Sequence, residues 1–177
     1  LSVRSTVVPR LQDIADKALF DGLVEYDRRH GWRGPITNID LSGNWQQALR
    51  EVETPADIPW DRAVVLDTDA NEAKLGLMNG EQGRIPLRFL TWARPWQKGQ
   101  TLGAVVNRPS DVLKPGDVIY VKHFAELDGE KLPPNTYGLR QIPNVNGGLV
   151  AMDPHTGRVL AMSGGFSHDM SKFNRAT

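Results

Sequence analysis

Apolar residues recur at three- and four-residue steps near the start of the chain. They follow Pro9 and include Leu11, Ile14, Ala15, Ala18, Gly22 and Tyr26. Proline is favoured in the first turn of a helix, where its missing N–H has no intrahelical partner to bond. The spacing predicts an amphipathic helix of about five turns. We expect it to end in the basic, Gly- and Pro-containing segment from Asp27 to Pro35.

A second, shorter helical pattern follows. Trp45, Leu49 and Val52 form an apolar stripe, and Thr54-Pro55 should end the helix. Ser42 stands just before this stripe, and a serine hydroxyl can accept a hydrogen bond from an orphan N–H of the first turn. We therefore predict that Ser42 is the N-cap residue.

Short β-type runs then succeed one another, separated by turn residues rich in Asp, Asn, Gly and Pro. The runs are 63–66, 73–78, 83–87, 117–123 and 137–142. About five short strands in a small domain are typical of an antiparallel barrel, of which the OB-fold is the commonest five-stranded form. The pattern predicts a mainly β (α+β) protein with one five-stranded OB-like barrel between about Ile58 and Ile142.

The last β pattern is a hairpin. Apolar runs around Leu149 and Val159 flank Asp153-Pro-His-Thr-Gly157, where proline presets φ and glycine supplies a positive φ. Because both runs are almost entirely apolar, we expect strands buried on both faces. We also expect the hairpin to pack with the Pro9 helix outside the barrel, since their apolar faces need a partner.

Charge and composition exclude several classes of function. The 177 residues carry 21 basic and 21 acidic side chains, so the chain lacks the broad positive field of a nucleic-acid-binding protein. No apolar stretch is long enough to cross a membrane. The chain has no Cys, which excludes cysteine catalysis, and no two of its four histidines have helical metal-site spacing. We expect neither a metal nor a cofactor.

Several segments resemble one bacterial family. They are Thr6–Gln12, Tyr26–Pro35, Trp92-Ala-Arg-Pro95, Asn146–Gly165 and Ser171–Thr177. Together they resemble the class A penicillin-binding proteins, the bifunctional peptidoglycan synthases, over both ends of the chain and more loosely over its middle. One departure is His168, which stands where that family usually has an aromatic residue.

The resemblance implies three regions. Residues 1–40 would be a linker and N-terminal transpeptidase segment, residues 41–144 an inserted OB-like domain, and residues 145–177 the start of the transpeptidase domain. Leu1 in place of Met, and an end in mid-pattern, predict that the chain is a piece of a longer polypeptide. Its parent would polymerise glycan strands and crosslink them, on the periplasmic side of the bacterial inner membrane, to which it would be anchored.

Catalytic residues cannot be assigned. No Ser is followed three places later by Lys, and no Lys-Thr-Gly occurs, so the penicillin-binding nucleophile and its partner motif are missing. Ser42-Gly-Asn44 matches the family's Ser-x-Asn motif, but only as a three-letter pattern. A Ser-His-Asp site formed by the fold is not excluded by spacing. We predict that this chain is non-catalytic and that no catalytic residue is carried over from the family.

A candidate binding surface surrounds two tryptophans. Trp92 and Trp96 lie among Arg88, Arg94 and Lys98, and an aromatic ring among cations is typical of surfaces that stack sugars or bases. The favoured alternative is structural, with both indoles covering the open end of the barrel.

Arg28, Arg29 and Arg33 form a small basic cluster in the turn after the first helix. Such a cluster could contact an anionic glycan or a phospholipid headgroup. A solvated turn is the simpler interpretation, and we adopt it here.

Two functions from different classes remain. In the first, the chain is a spacer and a docking surface of a class A penicillin-binding protein, in contact with the catalytic domains of its parent and with peptidoglycan or an outer-membrane lipoprotein activator. In the second, it is an independent OB-type module that binds an oligosaccharide or a single-stranded nucleic acid. The flanking segments favour the first, because a free-standing module has no need of them.

Overall fold

In a computed structural model, residues 5–99 and 101–177 are described, and they form two compact units. The first comprises the described residues up to Asp27, with Pro55–Ile58 and Ile142–Thr177. The second comprises Arg28–Thr54 and Pro59–Gln141. Along the chain, the second unit therefore interrupts the first.

The secondary structure is mainly β with two helices, and every pair of strands is antiparallel, as predicted. In chain order the elements are α1 (Pro9–Arg28), β1 (Thr37–Asn38), α2 (Trp45–Glu51), β2 (Asp61–Thr68), β3 (Glu72–Leu77), β4 (Gln82–Pro86), β5 (Trp96–Gln97), β6 (Thr101–Leu102), β7 (Asp117–His123), β8 (Glu126–Leu127), β9 (Glu130–Lys131), β10 (Tyr137–Arg140), β11 (Leu149–Met152) and β12 (Val159–Ser163). Short 3-10 helices span Leu87–Phe89 and Pro109–Asp111.

The second unit is built on one six-stranded sheet in the order β1-β7-β2-β3-β4, with β10 also paired to β7. All five predicted strands, β2, β3, β4, β7 and β10, lie in this sheet, and the short strand β1 adds a sixth by pairing with β7. Among residues 5–99 and 101–177, the strands form no closed barrel. Between β4 and β10 only an isolated bridge forms, Arg84 to Thr136. Pro133 and Pro134 precede that bridge and have no N–H with which to extend it.

One face of this sheet carries the main core. It is made of aliphatic and aromatic side chains from β2, β3, β4, β7, β10 and the segments between them, among them Leu75, Ile85, Leu90, Leu113, Ile119 and Leu139, all fully buried. A smaller cluster of Leu49, Val64 and Val118 lies where α2 packs on the sheet. The alternation of strand side chains between the two faces explains why Val64 and Val65 belong to different clusters.

Helix α2 is confirmed, but its cap is not the predicted one. Asn44 is the N-cap residue, and its side-chain oxygen accepts from the backbone N–H of Gln47 at 3.2 Å. Ser42 instead donates its hydroxyl to Asp40 at 2.7 Å. The predicted cap was wrong because two polar residues precede the apolar stripe, and the one closer to it makes the capping bond.

In the first unit, α1 and the β11–β12 hairpin associate as predicted. The Gln12 side chain donates to the carbonyl of Met162 at 2.8 Å and accepts from its N–H at 3.0 Å. The expectation of strands buried on both faces is wrong, since Val150 is 42% and Met152 56% exposed. The helix also leaves part of its apolar face uncovered, with Ile14 54% exposed.

The segment after the hairpin is held by a carboxylate. Asp57 accepts from the Ser167 hydroxyl at 2.7 Å and from the backbone N–H of His168 at 2.7 Å. Desolvation alone would raise the pKa of Asp57, but these hydrogen bonds outweigh it and hold the pKa below its ordinary value. His168 is thus fixed through its backbone, and its side chain is exposed.

Candidate functional site

Trp92 belongs to the edge of the core. Its ring meets that of Trp32 edge-on, with the centroids 6.2 Å apart, and it packs against the main core while only half-buried. Cζ of Arg28 lies 4.6 Å from the centroid of the same ring. Trp92 is therefore placed between a buried indole and a guanidinium group.

Arg94 is occupied by a local contact. Its Nε and Nη2 both donate to the carbonyl of Gly103, at 2.9 and 2.7 Å. Its own carbonyl accepts from the N–H of Trp32 at 2.8 Å. The Arg94 guanidinium thus fixes the loop that follows β6, rather than extending into solvent.

Trp96 presents a different surface. Its side chain is 45% exposed, although its backbone N–H donates to the carbonyl of Trp32 at 2.8 Å and its strand β5 pairs with β6. Lys98 follows in the same hairpin and is exposed. An indole and a lysine are thus displayed on a short hairpin whose backbone is hydrogen-bonded to the body of the unit.

Arg88 lies on the 3-10 helix Leu87–Phe89 and is exposed. Its Nη1 is 3.5 Å from a carboxylate oxygen of Glu130, which is itself exposed. A pair of this kind in solvent is weak, so Arg88 remains available to other partners. The structure therefore separates the predicted residues into three exposed side chains, Arg88, Trp96 and Lys98, and two that are packed or bonded, Trp92 and Arg94.

One largely buried arginine was not singled out as a site residue by the sequence. Arg140, at the end of β10, is only 8% exposed, and its Cζ lies 5.2 Å from the centroid of Phe124. Burial, and secondarily the positive charge of Arg28, lowers the pKa of Arg140 to about 10. The sequence signal that could have identified Arg140 is a charged residue inside an otherwise apolar β run.

The interpretation of Arg28 as part of a solvated turn is wrong. It is half-buried against Trp92, and burial lowers its pKa below the ordinary value. The sequence could not show this, because the residue that covers it lies far along the chain.

A polar cleft of about 340 Å³ lies on β3 and β4, and none of the five candidate residues lines it. Its lining includes Lys74, Gln82, Arg84 and Asn135. In OB-folds the corresponding strands, the second and third, often bind extended ligands. If the chain were a binding module, this cleft is where its ligand would be expected.

Neither a metal site nor a membrane helix is found in the part of the chain that the structure describes. No three or more His, Asp or Glu side chains are grouped as metal ligands within residues 5–99 and 101–177. No helix within those residues is both long and apolar enough to span a bilayer.

Comparison with known proteins gives one consistent result. The family described as "Penicillin-binding protein OB-like domain" matches residues 32–145. Penicillin-binding protein 1A of Rickettsia typhi is 42% identical over 100% of this chain and 20% of that protein. Penicillin-binding protein 1A of Escherichia coli K12 is 30% identical over 99% of this chain and 20% of that protein.

A solved structure agrees with these relatives. The 2.6 Å crystal structure of penicillin-binding protein 1A from Haemophilus influenzae matches with a TM-score of 0.68 and 28% identity, over 98% of this chain and 23% of that one. The chain thus spans about a fifth of the length of the curated relatives it matches.

Proposed function

Because the chain belongs to the penicillin-binding protein OB-like domain family, we propose that it is the non-catalytic OB-like region of a class A penicillin-binding protein. The whole-length similarity to penicillin-binding proteins 1A supports this assignment. The parent would polymerise glycan strands and crosslink their stem peptides, while this region would act as a spacer and a docking surface.

The proposed setting is the periplasmic side of the bacterial inner membrane, with the parent anchored in that membrane. Its partners would be the catalytic domains of the same polypeptide and either peptidoglycan or an outer-membrane lipoprotein activator. The bacterial relatives support the setting. We further propose that β2, β3, β4, β7 and β10 act as the five strands of an OB barrel, for which the parallel Arg84–Thr136 bridge is the supporting contact.

One observation carries the docking role. Trp96 keeps 45% of its surface exposed although its backbone is tied to Trp32 and its strand is paired. A large ring held rigidly in solvent loses little conformational entropy on binding, and it can stack on the apolar face of a sugar or a peptide side chain. Lys98 and Arg88 add positive charge for carboxylate groups of the partner. Trp92 and Arg94 would contribute to stability rather than to contact with the partner, since Trp92 packs on the core and Arg94 bonds the Gly103 carbonyl.

Retention of the chain by insoluble peptidoglycan, and its loss in Trp96→Ala, tests this role. The polar cleft on β3 and β4 favours the second candidate, an OB-type module that binds an oligosaccharide. In that case Lys74→Ala or Arg84→Ala, rather than Trp96→Ala, should abolish retention.

The absence of catalysis has its own test. A fluorescent penicillin labels a protein by acylating an activated serine, and no Ser-x-x-Lys motif is present in the sequence. We expect no covalent band at the mass of this chain after incubation with the probe and denaturing electrophoresis. A labelled band that unlabelled β-lactam competes away would show that the chain carries an acylating serine after all.

A further inference from the structure

We propose that Pro55–Ile58 is a strap whose tip, Asp57, latches the segment after the β11–β12 hairpin, residues 167–170, and that this latch opens and closes as one unit. Order in the post-hairpin segment thereby depends on a carboxylate that lies 110 residues upstream of Ser167. The inference concerns bonds inside the first unit and goes beyond the docking role proposed for Trp96.

The strap is a short excursion of the chain out of the second unit. Pro55–Ile58 belongs to the first unit, whereas the residues on either side, Thr54 and Pro59, belong to the second. A proline comes directly after each of the two crossings, at positions 55 and 59. Its fixed φ reduces the conformations that a short loop can adopt. A loop restricted in this way loses little further conformational entropy when its tip forms hydrogen bonds.

The chain on both sides of the strap is held within the second unit. Arg62, in β2, donates from Nη1 to the carbonyl of Val52, the residue that follows α2. The ring of Trp60 meets that of Tyr120, in β7, with the centroids 6.2 Å apart. The position of the strap is therefore set by more than the bonds at its tip.

The latch is reciprocal. Asp57 accepts from the Ser167 hydroxyl and from the backbone N–H of His168, both at 2.7 Å. It also accepts from the backbone N–H of Asp169 at 3.3 Å. In return, a carboxylate oxygen of Asp169 accepts from the backbone N–H of Ala56 at 2.9 Å. Because each set of bonds holds the donors and acceptors of the other set in place, the two sets should break together.

Ser167 joins the latch to the local fold of the post-hairpin segment. It is only 5% exposed, and buried polar side chains are nearly always hydrogen-bonded. Its hydroxyl donates to Asp57 at 2.7 Å and accepts from the backbone N–H of Met170 at 3.1 Å. Its carbonyl accepts from the N–H of Ser171 at 3.2 Å. Opening the latch removes the acceptor of the Ser167 hydroxyl, so the turn over residues 167–171 should loosen at the same time.

Hydrogen exchange of single backbone amides, measured on the whole chain and corrected for intrinsic rates, tests the latch. Asp57→Ala removes the acceptor of the His168 amide. Its exchange should become faster by about tenfold or more, the usual effect of losing a hydrogen bond to a charged group. Protected amides of β2, in the other unit, show whether each variant is folded.

Two further amides show whether the latch opens as one unit. The Met170 amide keeps its acceptor, Ser167, in Asp57→Ala, and the Ala56 amide keeps its acceptor, Asp169, in Ser167→Ala. If the bonds break together, each of these amides should exchange faster by about threefold or more. The Ser167→Ala measurement stands by itself if Asp57→Ala does not fold.

Asp153→Ala is the matched control. Asp153 lies in the hairpin turn of the same unit and likewise accepts from a backbone N–H, that of His155 at 2.9 Å, and from a hydroxyl, that of Thr156 at 2.6 Å. Its removal should leave exchange at Ala56 and Met170 unchanged.

Unchanged exchange at His168 in Asp57→Ala would overturn the inference, because the strap would then not hold the post-hairpin segment. Faster exchange at His168 without a change at Met170, together with an unchanged Ala56 in Ser167→Ala, would also overturn it, because the bonds would then break independently. Neither result affects the proposed docking role, which is measured on insoluble peptidoglycan through Trp96.

Discussion

Trp92→Ala should lower the free energy of unfolding by about 3 kcal/mol, the lower end of the range for emptying a buried aromatic site, because the ring is half-buried. The indole packs edge-on against Trp32 and lies under the guanidinium group of Arg28, and its removal would take away both of these contacts. Trp96→Ala should change stability by about 0.5 kcal/mol, as for an exposed side chain, because Trp96 is 45% exposed. Urea unfolding of both variants measures the difference.

The pair of substitutions serves as its own control, since the same residue type is removed four positions apart. Trp92→Phe should recover a large part of the stability by restoring the aromatic contact. Equal losses for Trp92→Ala and Trp96→Ala would show that both rings are structural. A near-neutral Trp92→Ala would contradict the assignment of Trp92 to the core.

Gly31→Ala should lower the free energy of unfolding by about 3 kcal/mol or more. Gly31 has φ +90, where an alanine is strained, and its added Cβ would lie 2.5 Å from the backbone carbonyl oxygen of Arg94. A contact with backbone cannot be relieved by a rotamer change, so overpacking adds to the strain of the left-handed conformation.

Gly129→Ala separates the effect of backbone strain from the effect of the steric clash. Gly129 has φ +82, but nothing lies within 4 Å of its added Cβ. The Gly129→Ala variant should therefore lose only about 1–2 kcal/mol of folding free energy, from the strained backbone conformation alone. If thermal or urea unfolding shows the same loss at Gly31 and Gly129, the close approach of residues 31 and 94 is not as tight as the structure indicates.

The sequence predicted the helices and strands that are determined by residues close to one another along the chain. Periodicity located α1 and α2, and short runs with apolar residues between turn residues located β2, β3, β4, β7 and β10. β7 coincides with the predicted 117–123 because an apolar run there is bounded by Gly116 and by exposed polar residues. In each case the side-chain spacing and the turn chemistry agree.

Features that depend on distant residues were missed. The apolar hairpin runs predicted burial on both faces, yet what covers a strand is decided by its surroundings, and Met152 is 56% exposed. The two-residue strand β1 is too short to show a period and exists only because it pairs with β7.

The candidate site also combines features that local sequence predicts with features that depend on distant residues. Sequence placed two tryptophans among cations, but it could not rank them, since Trp92 and Trp96 have nearly the same neighbours along the chain. Their difference comes from Trp32, sixty residues upstream of Trp92, whose ring covers one indole and whose backbone holds the other in solvent. For Arg140 the sequence predicts only a position in a strand, because its contact with Phe124 is formed by the fold.

Sedimentation with purified, insoluble peptidoglycan sacculi tests the proposed docking role most directly. The chain is mixed with sacculi at constant ionic strength and the pelleted fraction is compared among wild type, Trp96→Ala, Lys98→Ala and Lys131→Ala, the last being an exposed lysine outside the surface. We predict that wild type and Lys131→Ala pellet, that Trp96→Ala stays in the supernatant, and that Lys98→Ala is reduced. Retention of Trp96→Ala at the wild-type level, or retention lost only in Lys74→Ala or Arg84→Ala, would contradict the proposed docking surface.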